Sequence, residues 1–268
     1  MSFLAILTLT PTALAASGTA VGVDPDAQAR GATTRTLVVG ADIFIGDRIV
    51  TDARGLVQIV FEDKTRLVVG PRSSLRIDDY LIRENGSAGK FAISALSGTF
   101  RFISGSAPKS RYIINTPTGQ IGVRGTAFDL FVTKSRTYEL LLEGATINCA
   151  RDGGDCETMG DRCDVAVLSG RGVSVLGSSR ELEGDELRAA REWFRLAAAQ
   201  ASLLRPFRIA GAETCMRPAA RRNSQNDDDD VEIIIEVPQS LSDPFIPRRR
   251  RNNDDADNDG GGSLNFIF

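Results

Sequence analysis

Asn115–Val132, NTPTGQIGVRGTAFDLFV, is the stretch whose reading decides how this sequence folds. Thr116-Pro117-Thr118-Gly119 has the chemistry of a type I turn, with proline pre-setting the second position and glycine suiting the fourth. A strand follows. Its apolar side chains fall first on odd positions, Ile121 and Val123, and then on even ones, Phe128, Leu130 and Val132. The inward face therefore changes near Gly125. A one-residue slip reverses every later side chain, and glycine is what a β-bulge takes at such a switch. Gly122 and Gly125 also permit close approach of a second backbone.

Working outward, short apolar runs separated by turn residues read as strands: Leu37–Val39, Ile43–Ile45, Ile49-Val50 and Val57–Phe61, with Leu67, Val69, Leu75 and Ile77 continuing beyond a turn at Asp63-Lys64, then Phe91–Leu96, Phe100–Ile103 and Tyr112–Ile114 before the central stretch, and Tyr138–Leu142, Ala145–Ile147, Val165–Leu168 and Val173–Leu176 after it. Gly98, Gly119, Gly144 and Gly170 each open a strand, 21, 25 and 26 residues apart. Such recurrence fits stacked coils of a β-solenoid or roll, each burying its apolar face on the next. An irregular β-sandwich satisfies the same spacing.

Thr116, Pro117, Gly119, the run Gly122-Val123-Arg124-Gly125-Thr126 and the aromatic Phe128 resemble the signature of the FecR domain family. The resemblance runs back through Val39-Gly40, Gly46–Thr51, Ile59–Leu67 and Gly70-Pro71, and forward to Leu142-Glu143-Gly144 and Leu168-Ser169-Gly170, about residues 37 to 176. It tilts the fold to an all-β, solenoid-like or roll-like stack of short strands. At Asp63-Lys64 the family has Asp-Gly, the chemistry of a tight hairpin, so Lys64 departs from that pattern.

The rhythm changes at Asp185. Leu187, Ala190, Trp193, Ala197, Ala201 and Leu204 recur at three and four, with Asp185 as N-cap and Pro206 as stop, which predicts one C-terminal helix of about five turns. Its apolar stripe, including the single tryptophan, is expected to pack on the β domain. From about Arg217 periodicity disappears into charge blocks, Asp227–Asp230 and Arg248–Arg251, and a glycine run, the composition of a disordered tail. Val231–Val237 is a β-prone segment flanked by acids, and Leu264, Phe266 and Phe268 alternate over too few residues for a barrel strand.

At the other end, Phe3–Leu9, Pro11 and Ala13-Leu14-Ala15 have the layout of a secretory signal cleaved after Ala15, without the usual positive n-region. The expected division is a signal peptide over 1–15, a linker over 16–36, the β domain over 37–180 with a Cys-rich insertion at 148–164, a helical extension over 181–216 and a disordered tail over 217–268. No later run approaches the roughly 18 apolar residues of a membrane helix. The mature chain is thus expected to carry no spanning segment and to be periplasmic or otherwise extracytoplasmic.

The formal charge of −3 is uneven: residues 221–268 hold 11 acids against 6 arginines, so that tail carries −5 and the remainder +2. That balance offers no footprint for nucleic acid. The chain has no histidine, which removes the usual catalytic triads, the commonest metal ligand and the usual general base. Gly119, Gly122 and Gly125 do not follow the spacing of a nucleotide loop. No catalytic residue, metal or cofactor is expected.

Arg124 has two readings: a planar fork for a carboxylate ligand, or a structural charge paired with backbone carbonyls or with Asp129. Cys149, Cys156, Cys163 and Cys215 form an even set in an exported chain, so disulfides are expected, one closing the insertion and one tying Cys215 to it, with three pairings open. The insertion's acids, Asp152, Asp155, Glu157 and Asp161, do not follow the EF-hand pattern.

Known members of the resembled family include transmembrane regulators of iron uptake. They join a cytoplasmic anti-sigma region to a periplasmic domain that receives a signal from a TonB-dependent receptor. The residues before Leu37 are too few for such a cytoplasmic region and Phe3–Leu9 is short for an anchor, so the transmembrane signalling role is not expected to carry over. The resemblance therefore implies an exported, non-enzymatic interaction or signalling module with an envelope protein as partner. Binding of a small molecule or glycan, and a structural role in the envelope, are the competing readings.

Overall fold

Alternation of apolar and polar residues puts every second side chain on one face of a strand. The computed structural model describes residues 16–82, 88–105 and 112–218. Within them the strands are β1 (Gly18–Asp24), β2 (Ala27–Arg30), β3 (Thr34–Thr36), β4 (Asp42–Ile43), β5 (Arg48–Thr51), β6 (Leu56–Phe61), β7 (Arg66–Val69) and β8 (Ser74–Ile82). There follow β9 (Ala88–Ile103), β10 (Tyr112–Asn115), β11 (Gly119–Val132), β12 (Arg136–Ala150), β13 (Cys156–Met159), β14 (Asp164–Ser169) and β15 (Gly172–Ser178). They form one large, open, mixed sheet. The expected leader, the tail from 219 with its Val231–Val237 run, and Leu264, Phe266 and Phe268 lie outside the described residues.

Three long strands organise this sheet. β9 pairs with β8 and β10 through its first part, and with β7 and β11 from Gly98 onward. β11 passes from β10 to β9, and β12 carries β13 at one end and β14 at the other. Their changes of partner coincide with Gly98, Gly125 and Gly144, at φ 106°, 69° and 78°. At the paired bulge of β11 and β12 only glycine fits, because a Cβ on Gly144 would collide with the Gly125 carbonyl oxygen.

The two halves of the sheet face one another across one core. Phe61 of β6 and Phe91 of β9 meet edge to face at 4.9 Å, and Phe91 lies 5.7 Å from Phe102. Ile121 and Val123 enter this core from one half, Phe128, Leu130 and Val132 from the other, with the register shift between Arg124 and Phe128. The parity change in the sequence is thus a strand crossing between layers.

Several expectations need correction. A solenoid stacks its coils in parallel, but β9–β10 is the parallel pair among the described strands and the other pairings are antiparallel. The glycine recurrence marks corners of a folded-over sheet instead. The supposed linker, 16–36, holds β1, β2 and β3, because Ala20, Ala27 and Ala29 bury small side chains in the core without an obvious apolar run. At the Asp63-Lys64 turn, Lys64 adopts φ 70° and the hairpin closes through Phe61 N–H to Thr65 O at 2.9 Å. In the Thr116–Gly119 turn, the Thr116 hydroxyl accepts from the amides of Thr118 and Gly119, a side-chain substitute for the backbone bond.

The helix is shorter than predicted. It runs as α1 (Gly184–Trp193) and α2 (Arg195–Ala198), with Glu183, not Asp185, at the N-cap. Phe194 interrupts it at φ −102°, ψ 45°, where its fully buried ring leaves the helical path for the core.

Candidate functional site

The residues of the Gly-Val-Arg-Gly-Thr signature occupy the crossing of β11. Val123 and Phe128 are buried in the core, Phe128 stacking on Phe102 at 5.3 Å. Gly119 and Gly122 let β12 lie close, since a Cβ on Gly122 would meet Ile147 at 2.7 Å. Thr126 receives a hydrogen bond from Ser104 N–H on its carbonyl and donates its own N–H to the Ser104 hydroxyl, both at 2.9 Å. Arg124 is exposed and has no ion pair among the described residues; it precedes the bulge, and alternation from buried Val123 puts its side chain on the outer face. Its expected partner, Asp129, belongs to another arginine.

That arginine is Arg101. On β9, Phe100 and Phe102 point into the core, so alternation puts Arg101 on the opposite face, in register with Asp129 of β11. The guanidinium grips the carboxylate through Nε–Oδ1 at 2.6 Å and Nη2–Oδ2 at 2.8 Å, with both side chains fully buried. Burial pushes the Asp129 carboxyl above its ordinary range, against the pull of Arg101. Residues after β15 cover the pair. Gln200 accepts from Arg101 Nη1 at 2.6 Å and ties itself to the Ile209 backbone at 2.8 and 2.9 Å.

This covering segment is a third layer. Leu187, Ala190, Phe194, Ala197, Ile209 and Met216 close over Ile103, Ala127, Leu140 and Val165 on the outside of the sheet. Trp193 stacks on Tyr138 at 4.2 Å, as the helical stripe predicted. Cys163 and Cys215 join the layer to the strands in a disulfide, and Cys149 bridges to Cys156 across β12 and β13. The insertion is accordingly built. Asp155 accepts from Val173 N–H at 2.7 Å, tying the insertion to β15, and Asp152 accepts from Gly154 N–H at 3.1 Å within the loop. Among the described residues no group of three or more His, Cys, Asp or Glu is placed to hold a metal ion.

One buried acid escaped the sequence reading. Glu139 lies in register with Leu130 on one side and Ala166 on the other, on the inner face of β12. Neither carboxylate oxygen has a hydrogen-bond partner among the described residues, nor does Asn148 Oδ1. Burial raises the Glu139 pKa to about 7, and the side chains of Asn148 and Thr146 oppose that rise. Asp63 is buried too, but saturated: it accepts from the Tyr112 hydroxyl at 2.7 Å, Thr65 Oγ1 at 2.8 Å and Thr65 N–H at 3.0 Å. It ties the β6–β7 turn to the opposite layer.

What the frame leaves outside is the segment that frames β4. Val38, Val39 and Ile45 are 62, 66 and 47% exposed. β4 ends the strand order and pairs with β1. Among the described residues no helix is long and apolar enough to cross a membrane.

Residues 47–146 match the FecR protein family, so a FecR domain spans β5 to the second half of β12. The match is narrower than the 37–176 resemblance and omits β1–β4, β13–β15 and the third layer. Two crystal structures of a candidate anti-sigma factor from Parabacteroides distasonis ATCC 8503 align at 10% identity and a TM-score of 0.39. The alignment covers 49% of this chain and 59% of that one. A comparison with curated proteins finds no match.

Proposed function

We propose that this chain, with its FecR domain over residues 47–146, is an extracytoplasmic, non-enzymatic module that holds a protein partner on a rigid β frame. The observation that carries this reading is the exposed apolar group Val38, Val39 and Ile45 beside the edge strand β4. Large apolar side chains gathered on one short segment of surface are a feature of partner sites. The two disulfides support an oxidising compartment.

Site-specific photo-crosslinking tests it. A photoreactive residue at Val39 in the full chain, expressed in its native host, is expected to give one discrete protein adduct, and Ile45→Glu to abolish it. The same probe at Lys134, in the exposed β11–β12 turn, is the control. Equal labelling from both positions, or none at Val39, contradicts the proposal.

A further inference from the structure

The third layer covers the outer face of one half of the sheet, and the outer face of the other half carries an unusual row. Register places Arg30 opposite Arg48, Arg48 opposite Arg76, and Arg76 opposite Ser94. The row continues through Asn115 and Gln120. The inward neighbours Ala29, Ile49 and Leu75 are core residues, so all three arginines point away from the core, and all three are exposed. Neighbouring strands are about 4.8 Å apart, so three positive charges stand in line over about 10 Å.

Like charges directly opposite one another on adjacent strands are destabilising. Among the described residues the surroundings cancel only one of them. Among the described residues Arg30 bonds the Gln28 side chain, at 3.3 and 3.4 Å, and Arg48 donates to the Ser74 hydroxyl at 2.7 Å. Arg76 is ion-paired with Asp78 at 2.6 Å, which also accepts from the Ser94 hydroxyl, and Asp79 is taken by Lys90 at 2.9 Å. Arg30 and Arg48 thus have no carboxylate partner among the described residues. A repeated like-charge column kept against local stability is where function is expected to override folding preference.

We propose that this face binds a linear anionic polysaccharide laid across the strands. Its carboxylates would meet the forked donors of Arg30, Arg48 and Arg76, and its hydroxyls the amides of Asn115 and Gln120. The direction of the row favours this class over an acidic peptide. An extended peptide docks on a sheet edge through its backbone, whereas here the ladder has used the backbone groups and only side chains face outward. A stiff sugar chain, with a charge on every unit, also loses little conformational freedom on binding. The arginine row uses none of Val38, Val39 and Ile45, so the two proposals are tested by different substitutions.

Calorimetric titration of the full chain with a uronic acid oligomer, at low and moderate salt, tests the proposal. Binding is expected, weakening with salt, with affinity falling about tenfold for each arginine in the series Arg48→Gln, Arg30→Gln/Arg48→Gln and the triple variant with Arg76→Gln. Arg180→Gln/Arg188→Gln, in the helical segment, is expected to bind as the parent does. The triple variant should melt no lower than the parent, since it relieves repulsion, which separates lost binding from lost folding. Equal heat from neutral dextran, full competition by poly-glutamate of the same charge, or undiminished binding by the triple variant would overturn it.

Discussion

Arg101 and Asp129 stand opposite each other on β9 and β11, joined by hydrogen bonds of 2.6 and 2.8 Å with neither side chain exposed to solvent. The pair lies between the sheet and the segment that covers it, so it specifies where that segment docks. Leaving one buried charge without its partner is costly, while replacing both by apolar groups is not. Asp129→Ala is expected to lower stability by about 3–5 kcal/mol. Arg101→Met/Asp129→Leu should cost far less, and paired denaturant titrations measure the difference.

Glu139 gives the protein a pH dependence of definite sign. Its folded-state pKa is raised from 4.5 to about 7, so the folded protein holds this proton more tightly than the unfolded chain does. The associated stability is fully present below pH 4.5 and is lost as pH rises toward 7. At about 1.4 kcal/mol per unit the loss is about 3 kcal/mol. Glu139→Gln removes the titration. The stability of the variant minus that of the parent, followed from pH 4.5 to pH 8, is expected to climb by that amount; a flat difference curve would refute it.

Lys64 occupies the left-handed backbone region at φ 70°, where a side chain is strained and glycine is not. Lys64→Gly should raise stability by up to about 1 kcal/mol, net of the extra freedom glycine brings to the unfolded chain. Thermal melting of the two proteins checks this.

The two disulfides should differ in weight. Cys163–Cys215 closes a separation of 52 residues and Cys149–Cys156 one of only 7. Loop-closure entropy then predicts a loss of about 4 kcal/mol for Cys163→Ala/Cys215→Ala and about 2 kcal/mol for Cys149→Ala/Cys156→Ala. Unfolding of each double variant under oxidising conditions gives the comparison.

Local signals announced the strands and the crossing at Gly125, because alternation and its reversal are written in neighbouring residues. The helix stripe was legible for the same reason, with Trp193 on the sheet. What was hidden depends on pairing between distant strands. Nothing near Arg101 says that Asp129 will face it, although the alternation of Phe100 and Phe102 placed it away from the core. Arg124 drew attention through its motif and turned out to point to solvent. Glu139 sits in a run, Tyr138–Leu142, that reads as apolar, and only the fold shows it enclosed between Leu130 and Ala166. Ala20, Ala27 and Ala29 made the first strands look like a spacer, since small side chains carry a weak hydrophobic signal. The arginine row is invisible in sequence, its members being 18 and 28 residues apart.

Strands and covering layer, through residue 217, share one core and one disulfide, and so are expected to unfold as one frame rather than as a β domain with an appended helix. Trp193, the single tryptophan, reports on the layer, and far-ultraviolet circular dichroism reports chiefly on the strands. Urea unfolding of the oxidised full chain followed by both signals is the direct test. Superimposable transitions with one midpoint are predicted; tryptophan exposure at a clearly lower urea concentration than loss of the strand signal would contradict the account.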